Sequence, residues 1–230
     1  MNQEKSREKI IIVDYGSQFT QIIARKIREL GVYSEIINSR TAKKLKKYES
    51  IKGIILSGGP LTVTQKNKAD LDKSILESKI PILGICYGHQ IMAKKFGGHV
   101  KTSKKREYGA ALLKSITKCS ITKNFFKKKT NMVWMSHQDE VNKIPKGFKR
   151  IASSANSKFA IIANESKKYY GIQFHPEVSH TKNGKVLMSN FLFKVCKIKR
   201  TWNSKKQKSL LINKIKNEVK NNKVICALSG

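Results

Sequence analysis

The sequence predicts an α/β fold: a mostly parallel central sheet with helices on both faces and a small antiparallel addition. Up to about residue 98, short continuous apolar runs alternate with helical patterns, which is typical of buried parallel strands joined by crossover helices. From about residue 100 to residue 172, short apolar runs succeed one another without helical patterns between them, which favours antiparallel strands. The length of 230 residues allows one large domain, or one domain plus a fragment.

Strands and helices are predicted in alternation along the first part of the chain. Ser17 is a candidate cap for the first helix, and Gly31 a candidate stop. Continuous apolar strands of this kind are covered on both faces of the sheet. The predicted strands cover 10–13, 32–37, 53–56 and 81–85, and the predicted helices cover 18–30, 71–78 and 87–96.

The later part predicts short strands, then two helices. A polar, Lys-rich stretch at 197–208 separates the helices, and the apolar run 224–228 predicts the start of a new buried strand. We therefore place one domain at 1–198 and interpret 199–230 as a linker and the truncated start of a second domain. The strands are expected at 110–113, 132–135, 149–152, 159–163 and 169–174, and the helices at 184–195 and 210–219.

The chain is strongly basic, with 48 Lys and Arg against 15 Asp and Glu and a formal charge of +33. Only seven of the basic residues are Arg, the side chain that nucleic-acid readers use for bidentate contacts. Lys is spread along the chain beside abundant Ile and Asn, as A/T-rich codons would produce. We favour a solvated Lys-rich surface over a dedicated nucleic-acid face, although the charge should attract polyanions at low salt.

The same sequence argues for a cytoplasmic protein without a membrane segment. No apolar run approaches the roughly 20 residues of a membrane span, and the polar stretch 1–9 has no secretory hydrophobic region. Four cysteines lie far apart without a C-x-x-C pair, so neither a disulfide framework nor a metal site is indicated.

The sharpest motif is GICYGHQ at 84–90, which places Cys86 between an apolar strand and a helix. Glycines two residues before and after it allow the sharp turn of a nucleophile elbow. The helix N-terminus favours a thiolate at this position. The alternative is a buried structural cysteine, which is a common fate of a free thiol.

The second motif is His175-Pro176-Glu177, at the end of a predicted strand. A nucleophilic thiol needs a base, and the base needs an orienting group. His175 can take and return the proton while Glu177 fixes the imidazole. The alternative is an ordinary surface His beside a solvated Glu.

The third motif is Ser57-Gly58-Gly59-Pro60, which also follows an apolar strand. The backbone N–H groups of Gly59 and Tyr87 could form an oxyanion hole there, whereas the alternative is a plain Gly-Pro turn. All three motifs end strands, and the carboxyl ends of parallel strands meet at one sheet edge. Their joint placement favours a catalytic site.

These motifs together resemble the class I glutamine amidotransferases, and within them the glutaminase domains of the GMP synthases. The resemblance covers residues 10 to about 196, and it implies a flavodoxin-like fold. The chain departs from the usual GMP synthase pattern at His89 and Gln138. Four further stretches carry the resemblance, namely DYGSQ (14–18), WMSHQD (134–139), GIQFHPEVSHT (171–181) and CALSG (226–230).

The resemblance implies a Cys86–His175–Glu177 triad that hydrolyses glutamine without a cofactor. Gly59 and Tyr87 would hold the oxyanion. The family positions near bound glutamine correspond to Gln90, Ser136 and Asp139, and His137 either lines the site or is structural.

The tail resembles the linker into an ATP-pyrophosphatase (GMP synthetase) domain, with Ser229 and Gly230 at the start of its phosphate loop. That missing domain would use ATP and Mg²⁺ to convert XMP to GMP, in cis or in trans, and basal glutaminase activity is expected to be low. Two rivals remain from the residues alone: another thiol hydrolase on this fold, and a degenerate, Lys-rich polyanion-binding module.

Overall fold

The computed structural model describes residues 7–40, 50–64 and 71–227. Ser229 and Gly230, the expected start of a phosphate loop, lie outside them. Nine strands of the described residues form one sheet in the order β2-β1-β3-β4-β9-β8-β7-β5-β6. The strands are β1 Lys9–Asp14, β2 Ser34–Asn38, β3 Ile51–Leu56, β4 Ile82–Ile85, β5 His99–Ser115, β6 Thr130–Lys143, β7 Lys149–Ser153, β8 Ile161–Asn164 and β9 Tyr169–Ile172.

The five strands β2-β1-β3-β4-β9 are parallel, in the 2-1-3-4-5 order of flavodoxin-like folds. The other four strands are antiparallel and extend the sheet beyond β9. This architecture agrees with the predicted fold class. It also aligns the carboxyl ends of β1, β3, β4 and β9 along one edge of the sheet.

Helices cover both faces of the parallel strands because alternate side chains of each strand point in opposite directions. Ile10 and Ile12 of β1 belong to one buried cluster, whereas Ile11 and Val13 belong to another. No helix in the described ranges is long and apolar enough to cross a bilayer. The helices are α1 Thr20–Glu29, α2 Lys73–Glu77, α3 Tyr87–Lys95, α4 Gly184–Ser189, continued by the π-helical turn Asn190–Val195, and α5 Ser204–Val219.

Several elements have different bounds from those expected. Strands β5 and β6 extend well beyond the predicted 110–113 and 132–135. The prediction for β6 was too short because polar residues interrupt the apolar run in the added part of the strand. Helix α1 begins at Thr20, and Ser17 does not cap it: the Ser17 hydroxyl accepts a hydrogen bond from the N–H of Phe19 instead.

The predicted buried strand at 224–228 is wrong for its described residues. Residues 224–227 form no strand, and Val224 and Ile225 are 65% and 96% exposed. The apolar stripe of α5 is also exposed, at Leu211 and Ile215. An apolar run becomes a buried strand only when a neighbouring strand pairs with it, and no described strand pairs with this one.

The segment before α5 is anchored to the body of the domain by Trp202. The indole ring stacks on the ring of Tyr33 with centroids 5.4 Å apart, and the backbone N–H of Trp202 donates to the carbonyl of Gly31 at 2.9 Å. The guanidinium carbons of Arg7 and Arg28 lie 5.3 and 5.4 Å from the indole centroid. These contacts fix the position of the chain at Trp202, just before α5 begins.

Candidate active site

Cys86 alone makes the turn between β4 and α3, and its backbone is strained. Its φ of 52° and ψ of −104° lie in a region that L-residues rarely adopt. A Cβ on Gly84 would come within 2.5 Å of the Gly88 carbonyl oxygen, and one on Gly88 within 2.3 Å of the Leu56 carbonyl oxygen. Only glycine fits at these two positions, so the motif spacing follows directly from the close backbone packing.

His175 stands beside this sulfur, held by Glu177. The imidazole Nδ1–H donates to Glu177 Oε1 at 2.8 Å, and both residues are buried. The imidazole and the Cys86 side chain line the same cavity, and the ring of Phe19 packs edge-on against the imidazole with centroids 4.9 Å apart. The structure therefore brings the three predicted triad residues together, with Glu177 bonded to His175 and His175 beside Cys86 in one cavity wall.

The electrostatics of this row favour an imidazolium at His175. Burial alone would lower its pKa, but hydrogen bonds and charge interactions with Cys86 and Glu177 outweigh burial and raise the pKa to about 10. A cation at this position stabilises negative charge on the neighbouring sulfur. The same group can later give its proton to a leaving amine.

The turn after β3 lies against the elbow. The Ser57 carbonyl accepts from the N–H of Gly88 at 3.0 Å, and the Ser57 hydroxyl accepts from the N–H of Tyr15 at 3.0 Å. A Cβ at Gly59 would lie 2.7 Å from the Tyr15 carbonyl oxygen. These contacts hold Gly59 at the cavity beside Cys86.

Two cavities of about 450 and 250 Å³ share Cys86, Gly59 and Ser136 in their walls. His175 lines the smaller cavity, and the carbonyl oxygen of Ser136 lies 3.5 Å from Cys86 Sγ. The sheet edge thus encloses a space of amino-acid size around the sulfur. The larger cavity is lined by all the other expected site residues in the described ranges, Gly59, Tyr87, Gln90, Ser136, His137 and Asp139.

Gln90 and Asp139 are joined by hydrogen bonds in the wall of the larger cavity. The Gln90 amide donates to the Asp139 carbonyl at 2.7 Å, and the Asp139 carboxylate accepts from the hydroxyls of Thr102, at 2.9 Å, and Thr62. No local motif marks either threonine, because only the tertiary fold brings them to Asp139.

Gln173 is a further residue at the sulfur to which the motifs assigned no role. Its amide donates to Cys86 Sγ at 3.8 Å and its carbonyl accepts from Gln90 at 3.3 Å. Gln173 lies inside the stretch 171–181 that carries the family resemblance, two residues before His175. That position was the sequence signal that could have identified it as a site residue. Within the described ranges, no three His, Cys, Asp or Glu residues cluster so as to hold a metal ion.

Comparisons with known proteins agree with this geometry. The model of the family "Glutamine amidotransferase class-I" matches residues 11–195. The chain is 47% identical over 223 residues to the GMP synthase [glutamine-hydrolyzing] of Brachyspira hyodysenteriae, and 44% identical over 223 residues to that of Campylobacter fetus. These alignments cover 97% and 96% of this chain, and the chain spans only 43% of each relative.

Among solved structures, a Thermoplasma acidophilum protein provisionally named as one subunit of a GMP synthase is 32% identical, with a TM-score of 0.72 over 83% of this chain and 94% of that one. A Thermotoga maritima glutamine amidotransferase, 21% identical, shares the fold with a TM-score of 0.60 over 93% of this chain and 92% of that one. With a family model that covers most of its length, the chain belongs to the class I glutamine amidotransferase family.

Proposed function

We propose that this chain is the glutaminase part of a GMP synthase, which hydrolyses glutamine to glutamate and ammonia through a cysteinyl thioester. One observation carries the proposal: the Cys86 sulfur and the His175 imidazole line one cavity, and the buried Glu177 carboxylate accepts a hydrogen bond from that imidazole at 2.8 Å. This arrangement matches the needs of thiol-based acyl transfer.

The reaction follows from these groups. The Cys86 sulfur attacks the side-chain amide carbon, and the carbonyl electron pair moves onto oxygen, where the N–H groups of Gly59 and Tyr87 receive it. When the pair returns, the C–N bond breaks and His175 gives its proton to the nitrogen, which leaves as ammonia. Water, deprotonated by His175, then attacks the thioester, so that glutamate and the free Cys86 thiol are released.

The remainder of the proposal concerns the protein of which this chain would be a part. The relatives are glutamine-hydrolysing GMP synthases of more than twice its length, and the Thermoplasma protein is named as a separate subunit. We place residues 1–198 in the amidotransferase domain and 199–230 in a linker and the start of an ATP-pyrophosphatase domain. That domain, in cis or in trans, would use ATP, Mg²⁺ and the ammonia to convert XMP to GMP in the cytoplasm.

Acivicin, an electrophile that resembles glutamine, tests the glutaminase site. It should modify Cys86 once, and glutamine should protect the thiol. Cys86→Ser should lose labelling and at least about a thousandfold of the ammonia release. Cys226→Ser is the matched control, because this thiol is exposed and distant in sequence, and it should behave like the wild type.

Substrate choice separates this function from that of a peptidase on the same fold. The wild type should release ammonia from glutamine and should not cleave peptides. Labelling of another cysteine, or unchanged ammonia release from Cys86→Ser, would overturn the proposal.

A further inference from the structure

A buried hydrogen-bonded pair, His137 and Glu107, includes one residue of the wall of the larger cavity, His137. His137 on β6 pairs in register with Glu107 on β5, and the two side chains are only 1% and 7% exposed. The imidazole has Glu107 Oε2 at 3.2 Å from Nε2 and the Asp139 carbonyl oxygen at 3.0 Å from Nδ1. Each ring nitrogen of His137 therefore lies against an acceptor oxygen.

The pair is connected to the cavity through one carbonyl group. The Asp139 carbonyl that accepts from His137 also accepts from the Gln90 amide at 2.7 Å. Gln90 lines the cavity and donates to Gln173, whose own amide reaches Cys86 Sγ. The orientation of the Gln90 amide therefore depends on the Asp139 peptide group, whose carbonyl also bonds His137.

The pairing of β5 with β6 is interrupted at this point. Thr102 pairs with Asp139 and Glu107 with His137, so residues 103–106 bulge opposite the single residue Gln138. The ladder cannot fix the backbone across such a bulge. Side-chain hydrogen bonds join the two strands at both ends of the bulge, Glu107 with His137 and Thr102 with Asp139.

Glu107 is itself fixed from the side away from the sulfur. Both of its carboxylate oxygens lie 2.9 Å from the hydroxyl of Ser154, which donates to them. Glu107 lines a separate cavity of about 630 Å³, and it is not among the residues that line the two cavities at Cys86. Its side chain is connected to the larger cavity through its hydrogen bond with His137.

We propose that Glu107 and His137 form a positioning pair that sets the affinity of the larger cavity for glutamine by fixing the Asp139 carbonyl and the Gln90 amide. The pair acts on the cavity rather than on the Cys86 sulfur, because the contact that leads from this network to the sulfur, from the Gln173 amide, is long at 3.8 Å. This inference rests on the proposed glutaminase function and identifies the residues that shape its substrate cavity.

The test compares two electrophiles on the full chain. Acivicin inactivation saturates and yields a half-saturation concentration and a limiting rate, whereas iodoacetamide is too small to need the cavity and reports the thiol alone. Glu107→Ala should raise the acivicin half-saturation concentration by about tenfold or more, because small displacements of positioning groups have effects of this size. The iodoacetamide rate should stay within about twofold, since the contacts of Cys86 with His175 are intact.

Glu107→Gln keeps the shape but removes the charge, and it carries the test if Glu107→Ala does not fold. Its half-saturation concentration should rise at least roughly threefold, since a neutral partner makes the weaker hydrogen bond. Glu140→Gln is the matched control on the neighbouring strand: Glu140 pairs with Lys101 at 3.5 Å, and its loss should change neither reagent.

A purely structural role for Glu107 would lower Tm while leaving acivicin saturation unchanged, and that result overturns the inference. Acivicin and iodoacetamide rates that fall in parallel overturn it as well. A wild type that acivicin does not label at Cys86 contradicts the proposed function itself, so the two failures are distinguishable.

Discussion

The strained backbone of Cys86 predicts that glycine at this position makes the domain more stable than alanine does. Alanine and cysteine share a Cβ, so Cys86→Ala removes the sulfur but keeps the strain at φ 52°, ψ −104°. Cys86→Gly removes both the sulfur and the strain. The comparison between the two variants therefore isolates the cost of the turn.

The magnitude follows from two opposing effects. A non-glycine residue in such a sparsely populated conformation costs about 1–3 kcal/mol. Glycine gives back about 0.5–1 kcal/mol, because it increases the entropy of the unfolded chain. Cys86→Gly should thus be more stable than Cys86→Ala by up to about 2.5 kcal/mol, which corresponds to a Tm higher by up to roughly 10 °C in a domain of this size.

The assay is thermal and urea unfolding of both variants. Ala155→Gly is the control, since Ala155 is exposed and its φ is not positive, and this change should only destabilise. If Cys86→Gly proves no more stable than Cys86→Ala after correction by this control, the turn stores no strain and the reasoning fails.

Two further changes test the charge state of His175 and the packing of Trp202. Glu177→Gln should lower the pKa of His175 from about 10, because burial still opposes the charge, so the high-pH limit of ammonia release should move to lower pH. The folded-state pKa of His175 is raised above its ordinary value of 6.5. The hydrogen bond between His175 and Glu177 therefore stabilises the wild-type fold fully below pH 6.5, and this stabilisation is lost as the pH rises through about 10. An NMR titration in which Glu177→Gln does not shift the pKa of His175 would contradict this reasoning. Trp202→Ala should lose the stacking on Tyr33 and the contact with Arg7, which together stabilise this segment by about 1–2 kcal/mol. The variant should therefore be cleaved faster by proteases at 199–203. Equal cleavage rates for the variant and the wild type would show that Trp202 does not hold the segment.

The sequence alone determined the local geometry around the sulfur. Gly84 and Gly88 flank Cys86 because a Cβ at either position would strike backbone atoms within a few residues or on the next strand, so the requirement is visible in the spacing. Continuous Ile and Val runs likewise predicted β1 and β3, since burial on both faces leaves no polar alternation to obscure them.

Only the tertiary structure decided which distant groups surround the cavity. The register shift between β5 and β6 sets Glu107 against His137, and the crossing of chain segments brings Thr62 to Asp139. The same limit explains why the run 224–228 was expected to start a buried strand: an apolar run indicates the need for a partner strand, but it does not show whether a described strand pairs with it. Hydrogen bonds between residues tens of positions apart depend on how strands pair and pack, and local patterns of hydrophobicity carry no information about that register.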